Sequence, residues 1–267
     1  MTTNLAGRSS RPHVFHRRHN TRPRAPMPPP HRVGATPRVE RTGDLADRQP
    51  DLLLADLTSP WAYLAHLRAG DGEEGAGAPV WWAVNDTPRV PLAGSWAPGP
   101  ARELRRRELE AVRDAALADE QLPDDVPVVI PHPRPVAAAY AEGVELGRGP
   151  AVRELLLRAY WEEGRDIGDP EVLRRLLPAV LVDDRAPCSG DPRREWGYVV
   201  SPAREPLSDG AYHLLRRWQR RWTDLGRPGP LTLLGRAGEQ VGAAALEALS
   251  RKDLSGTVAR PRPGGGS

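Results

Sequence analysis

The chain has 267 residues, 39% of them hydrophobic, which is enough for a sizeable core, and no run of about 18 apolar residues, which excludes a membrane-spanning helix. A single cysteine, Cys188, excludes an internal disulfide and fits a reducing cytoplasm, the expected location. The net charge of +3 is uneven: residues 1–42 hold nine arginines against Glu40 and carry +8, leaving −5 on the other 225, so the body offers no basic face for nucleic acid.

Residues 1–47 are rich in Arg, His and Pro, with the run Pro28-Pro29-Pro30 and no apolar periodicity. Such a segment cannot bury enough surface to offset its ordering entropy, so a disordered basic leader is expected there. It has no apolar stretch of the kind a secretory signal needs, and Met27 is a second candidate start. The tail at 257–267, with its three glycines, reads as disordered too.

Asp51–Leu57 is a short apolar run that reads as a buried strand. Ser59-Pro60 then opens a helix at Trp61–Arg68, with Ser59 as N-cap and Pro60 at the first helical position. Val80–Val84, with Trp81 and Trp82, reads as a second strand, and strand–helix–strand order suggests a βαβ unit. Helices are expected at Ala101–Asp119, Pro135–Leu146 and Pro150–Glu163, the last with Val152, Leu155, Leu156, Ala159 and Tyr160 on one face. Asp169-Pro170-Glu171 starts another helix by N-cap, first-turn proline and acid, with Val172, Leu173, Leu176, Leu177 and Val180 along one side. Ser208–Leu225 is a long helix whose apolar side carries Leu214, Leu215, Trp218, Trp222 and Leu225. Pro230 leads into a strand at Leu231–Leu234, a short strand near Gln240-Val241 and a helix from Ala243 to Leu249.

The stretch Asp56 to Ala65 (DLTSPWAYLA) resembles the Asp-x-x-Cys-Pro-Trp-Cys-Tyr-Leu motif of the DsbA family of thioredoxin-like proteins. It is more similar still to the Ser-Pro-Tyr-Ala-Tyr-Leu-Ala version in 2-hydroxychromene-2-carboxylate isomerases and kappa-class glutathione transferases. Arg158–Leu173 (RAYWEEGRDIGDPEVL) resembles the helical-insert signature of the same group, particularly its actinobacterial members. The resemblance covers about residues 51–250. It implies an α/β, thioredoxin-like fold with an inserted helical domain: 48–96 and 183–256 as the two halves of the thioredoxin-like domain, 97–182 as the insert. It also implies a cis peptide bond at Pro230.

Disulfide exchange needs an attacking thiolate and a resolving cysteine. The two family positions are Ser59 and Ala62 here, so dithiol–disulfide exchange is excluded, and Cys188 reads as a lone thiol in a later loop. The resemblance implies a catalytic role for Ser59, whose hydroxyl would hold the thiolate of a bound cofactor beside the helix amides. The backbone at Gly229, Pro230 and Leu231 would pair with that cofactor, and Trp61 and Tyr63 would line the substrate site. A helix N-terminus stabilises a thiolate by about 0.3–1 kcal/mol, so a further donor is needed and Ser59 supplies one. Ser59 reads equally well as a plain N-cap.

In the glutathione-using relatives a Gly-x-Asp-Arg element at the start of the last helix anchors the γ-glutamyl group. The matching stretch here is Gly242-Ala243-Ala244-Ala245, which points away from glutathione toward a mycothiol-like low-molecular-weight thiol or no thiol. The expectation is a thiol-dependent isomerase or transferase acting on a small-molecule substrate. The alternative is a catalytically silent member of the group that binds a ligand or a protein partner in the same cleft. His132 and His213 are isolated, so no metal site is expected, and no phosphate loop or Ser-His-Asp arrangement is visible.

Overall fold

The computed structural model describes residues 50–69, 78–86, 89–96, 98–181 and 200–256. The leader at 1–47, the tail at 257–267 and Cys188 lie outside the described residues. Four strands form one sheet: β1 (Leu52–Ala55), β2 (Val80–Ala83), β3 (Leu231–Gly235) and β4 (Gly238–Val241), in the order β2-β1-β3-β4. β1 pairs in parallel with β2, Leu53 opposite Trp81, and antiparallel with β3, Ala55 opposite Leu231. Parallel neighbours need a crossover, and helix α1 (Pro60–Ala69) lies between them in the chain.

β1 is apolar throughout because it is buried on both faces. Its side chains alternate: Leu53 and Ala55 enter the main core with Leu64, Leu156, Tyr160 and Leu246, whereas Leu54 packs with Val84 and Trp222 on the other side. The remaining helices are α2 (Pro100–Ala115), α3 (Pro133–Glu145), α4 (Gly149–Trp161), α5 (Pro170–Leu176), α6 (Pro178–Leu181), α7 (Asp209–Asp224) and α8 (Ala243–Gly256). The five expected apolar positions of α4 are all buried. α3 and α4 cross closely at Gly143, where a Cβ would come within 2.6 Å of a Val152 methyl.

Two sequence expectations need correction. The helix opened by Asp169 stops at Leu176, and Pro178 begins a separate short helix, because proline lacks the N–H and its ring clashes with the carbonyl four residues back. α2 ends at Ala115 rather than Asp119: Ala116 is extended, and Arg68 from α1 donates to the Ala115 carbonyl at 2.8 Å. That bond satisfies one of the orphan acceptors of a helix end.

Candidate functional site

The end of β1 and the start of α1 make a tight corner. Asp56 Oδ1 accepts from the Thr58 amide (2.9 Å) and hydroxyl (2.7 Å), a turn that an Asp side chain supplies by standing in for backbone. The Asp56 amide donates to the Pro230 carbonyl at 2.8 Å, which ties the corner to the start of β3. Ser59 Oγ accepts from the Trp61 amide at 3.2 Å and so caps α1. Its residue is 0% exposed, as is Ala62. Trp61 is half-buried, its ring lying 3.9 Å from where a Cβ on Gly242 would stand, and the Gly242 amide donates to the Leu231 carbonyl.

Ser59, Trp61, Pro230 and Leu231 are thus linked around one corner, with Leu231 fully buried and Gly229 and Pro230 half-buried. The implied cis bond is corrected: Pro230 follows a trans peptide. Trans is favoured for X–Pro by about 0.5–1 kcal/mol. Here the Gly229 carbonyl is held by the Trp222 indole N–H at 3.2 Å, and Gly229 takes a φ of 151° that favours glycine.

Beneath the corner lies a buried charge cluster with Asp56 at its centre. Arg105 of α2 donates from Nη2 to Asp56 Oδ2 (3.0 Å) and Thr58 Oγ1 (2.8 Å), and from Nη1 to Glu108 Oε2 (2.5 Å). The side chains of Asp56 and Arg105 are both 0% exposed. The hydroxyl of Tyr160 is buried nearby with no hydrogen-bond partner among the described residues, and burial pushes it well above the ordinary phenol range. Asp86 donates its amide to Asp56 Oδ2 (3.2 Å). Burial, then the neighbouring Asp56, push its carboxyl up to about 6.

A carboxyl raised in the fold disfavours folding once it ionises. Below about pH 4 both states are protonated and nothing is lost; as pH climbs to about 6 the unfolded state ionises first and stability falls. Asp86→Asn should therefore gain roughly 1–2 kcal/mol over the wild type at about pH 7–8, a gain that vanishes near about pH 4, read by denaturant unfolding across that range. Equal stability of the two proteins at every pH would show Asp86 to be ordinarily solvated.

Tyr63 turns away from the corner. Its hydroxyl donates to Glu162 Oε1 at 3.2 Å, and its ring lies 5.8 Å from that of Trp161. Burial, then Glu162, push the phenol up to about 12. These groups border a cavity of about 920 Å³ between α1, the end of α4, the 117–123 loop and Ser250 of α8. Arg68 crosses one wall, held by Glu120 through Nε (2.6 Å) and Nη2 (2.9 Å). Burial opposes the charge of Glu120, yet the hydrogen bonds from Arg68 and the Leu117 amide hold it below the ordinary carboxylate range.

His132 caps α3, its Nδ1 accepting from the Arg134 amide at 3.2 Å, and His213 lies on α7 beside Tyr212. Among the described residues no group of three His, Cys, Asp or Glu could hold a metal ion. Sequence reasoning missed Arg105, Trp161 and Glu162 as site residues. Arg105 carried a usable signal, since positions 105, 109 and 112 form the buried stripe of α2 and a charge on such a stripe must find a partner.

No protein-family model and no curated protein matches the chain. Among solved structures it is similar to the cytosolic disulfide reductase DsbM from Pseudomonas aeruginosa, solved with GSH, at 18% identity and a TM-score of 0.51, over 78% of this chain and 98% of that one. It is similar also to a probable DsbA oxidoreductase from Streptomyces coelicolor at 14% identity and a TM-score of 0.52, over 80% and 93%. The fold is therefore α/β and thioredoxin-like, in the form that DsbA-type proteins take.

Proposed function

We propose that this thioredoxin-fold chain acts without dithiol exchange, by binding a small organic ligand in the cleft between α1 and the end of α4. One contrast carries the reading. Ser59 and Ala62, at the corner where disulfide chemistry would sit, have no exposed surface. Tyr63, on the same helix, borders a cavity of about 920 Å³, within the span of about 300–1,000 Å³ usual for small-molecule sites. Its lining mixes apolar groups such as Leu67, Leu122 and Trp161 with polar ones such as Gln121 and Glu162, which suits an organic ligand that carries polar groups.

A thermal-shift screen of small organic compounds tests this, since a ligand at about 100 times its Kd stabilises by about 2.7 kcal/mol. Hits should be lost in Leu67→Trp, where the residue is 39% exposed on the cleft wall and an indole can fill the space without disturbing the core. They should persist in Ser59→Ala. Hits that survive Leu67→Trp would overturn the cleft as the binding place.

A second reading is a thiol-dependent isomerase or transferase, with Ser59 activating the thiol of a bound cofactor. It is favoured by the cap geometry: Ser59 Oγ accepts from the Trp61 amide, which leaves its proton without a partner among the described residues at a helix N-terminus. The Pseudomonas structure contains GSH; Ala243, Ala244 and Ala245 after Gly242 make a mycothiol-like thiol the better fit here. The corner must open for this to work, because Ser59 is fully covered. Thiol binding that is lost in Ser59→Ala and kept in Leu67→Trp would favour this reading over the first.

A further inference from the structure

The cleft beside Tyr63 has an uneven charge. Its ionisable lining comprises Arg68, Asp119, Glu120 and Glu162 besides Tyr63. Arg68 and Glu120 neutralise each other, and the guanidinium has a third bond to the Ala115 carbonyl, so it has little left to offer a ligand. Asp119 and Glu162 are exposed and have no ion-pair partner among the described residues. The arginines near Glu162 are engaged elsewhere: Arg158 pairs with Glu154 and Glu163, and Arg165 with Glu163.

The floor of the cleft is aromatic. Trp161 is 4% exposed, its indole N–H has no hydrogen-bond partner among the described residues, and its ring is fixed by Tyr160 at 4.8 Å and Tyr63 at 5.8 Å. Tyr63 is 5% exposed, so the two rings border the cleft by their edges. The phenol of Tyr63 stays protonated and donates to Glu162, which fixes that carboxylate at the rim. Two uncompensated carboxylates over two aromatic rings, with Leu67 and Leu122 completing the walls, form a receptor for a positive head group on an apolar body.

We infer that the cleft takes an organic cation, an amine or guanidinium carried on an apolar or aromatic body, with Glu162 as its counter-ion and Tyr63 and Trp161 as its ring contacts. This rests on the cleft being the ligand site proposed above. Neutral and anionic compounds of the same shape lose the ion pair, and anions meet repulsion from Asp119 and Glu162 as well.

Calorimetric titration of the full-length protein at low salt with three probes of one shape tests the charge: phenethylammonium, 2-phenylethanol and phenylacetate. The exposed ion pair gives up to about fivefold, so the amine should bind about threefold to fivefold tighter than the alcohol, with phenylacetate weakest. Glu162→Gln keeps an acceptor for Tyr63 and should weaken only the amine, by about threefold to fivefold. Glu103→Gln, at a residue paired with Arg106 and Arg107 outside the cleft, should change nothing. Saturable binding of the alcohol or the acid as tight as the amine, lost in Leu67→Trp, would overturn the cation and leave the cleft standing. Amine binding that is unchanged in Glu162→Gln, or no binding of any probe, would overturn the inference too. The compound screen with Leu67→Trp then decides separately whether the cleft binds at all.

Discussion

Arg105→Met should destabilise the protein by about 3–5 kcal/mol, among the largest effects of any single substitution at the corner. Methionine matches the stem of arginine in bulk, so packing alone would change little. What is lost is the guanidinium that joins Asp56 Oδ2, Thr58 Oγ1 and Glu108 Oε2. Asp56 is then left at 0% exposure without its cation. For a folded body of this size about 1 kcal/mol moves Tm by about 2–4 °C, so a fall of about 6–20 °C is expected. The double variant Asp56→Asn/Arg105→Met should recover at least about 1–2 kcal/mol relative to the sum of the single effects, because the buried charge has been removed with its partner. Simple additivity in that cycle would mean that the pair does not interact as its 3.0 Å geometry implies.

The local layer of this fold was legible in the sequence. Ser59-Pro60 announces a helix by cap and first-turn proline, and α1 starts at Pro60 with Ser59 Oγ on the Trp61 amide. The apolar run after Asp51 becomes the central strand, and the stripe Val152, Leu155, Leu156, Ala159, Tyr160 becomes the buried face of α4. These signals lie within a few residues of what they specify. The partner of Asp56 is 49 positions away in a helix whose surface is mostly charged, so nothing near Asp56 names it. Pro178 carries a local signal, a proline inside an apparently continuous helix, which the regular apolar spacing from Val172 to Val180 masks.

The trans bond before Pro230 illustrates the limit of a motif. A resemblance fixes which residue stands there, but the isomer depends on tertiary partners, here the Trp222 indole on the Gly229 carbonyl. The cleft was harder still to foresee, since α1, the 117–123 loop, α4 and α8 each contribute only part of its wall. The resemblance places Trp61 and Tyr63 together at one substrate site. Trp61 faces Gly242 at the start of α8, whereas Tyr63 faces Trp161 and Glu162.

Glu142→Ala should cost about 3–5 kcal/mol, through a junction that joins α3 to α7. Glu142 lies in the alanine-rich helix α3 and is 5% exposed, where an acid needs a compensating set of donors. It has them: Oε1 accepts from the amides of Leu207 (2.6 Å) and Ser208 (2.8 Å), and Oε2 from the Ser208 hydroxyl (2.8 Å). Ser208 is itself the N-cap of α7, its Oγ accepting from the Ala211 amide at 3.3 Å. The carboxylate therefore sits at the positive end of a helix and completes its cap from outside. Alanine removes three bonds to a charged acceptor and leaves two backbone amides unsatisfied, which accounts for the size of the effect. Glu142→Gln keeps one carbonyl oxygen for the two amides but turns an N–H₂ toward Ser208, so it should fall between wild type and alanine. Ser208→Ala removes only the cap and one bond and should cost about 1–2 kcal/mol. Denaturant unfolding of the three variants should give that order, Ser208→Ala mildest and Glu142→Ala most severe. If Glu142→Ala is no worse than Ser208→Ala, the carboxylate is a bystander and α7 is held by Trp218 and Trp222 alone.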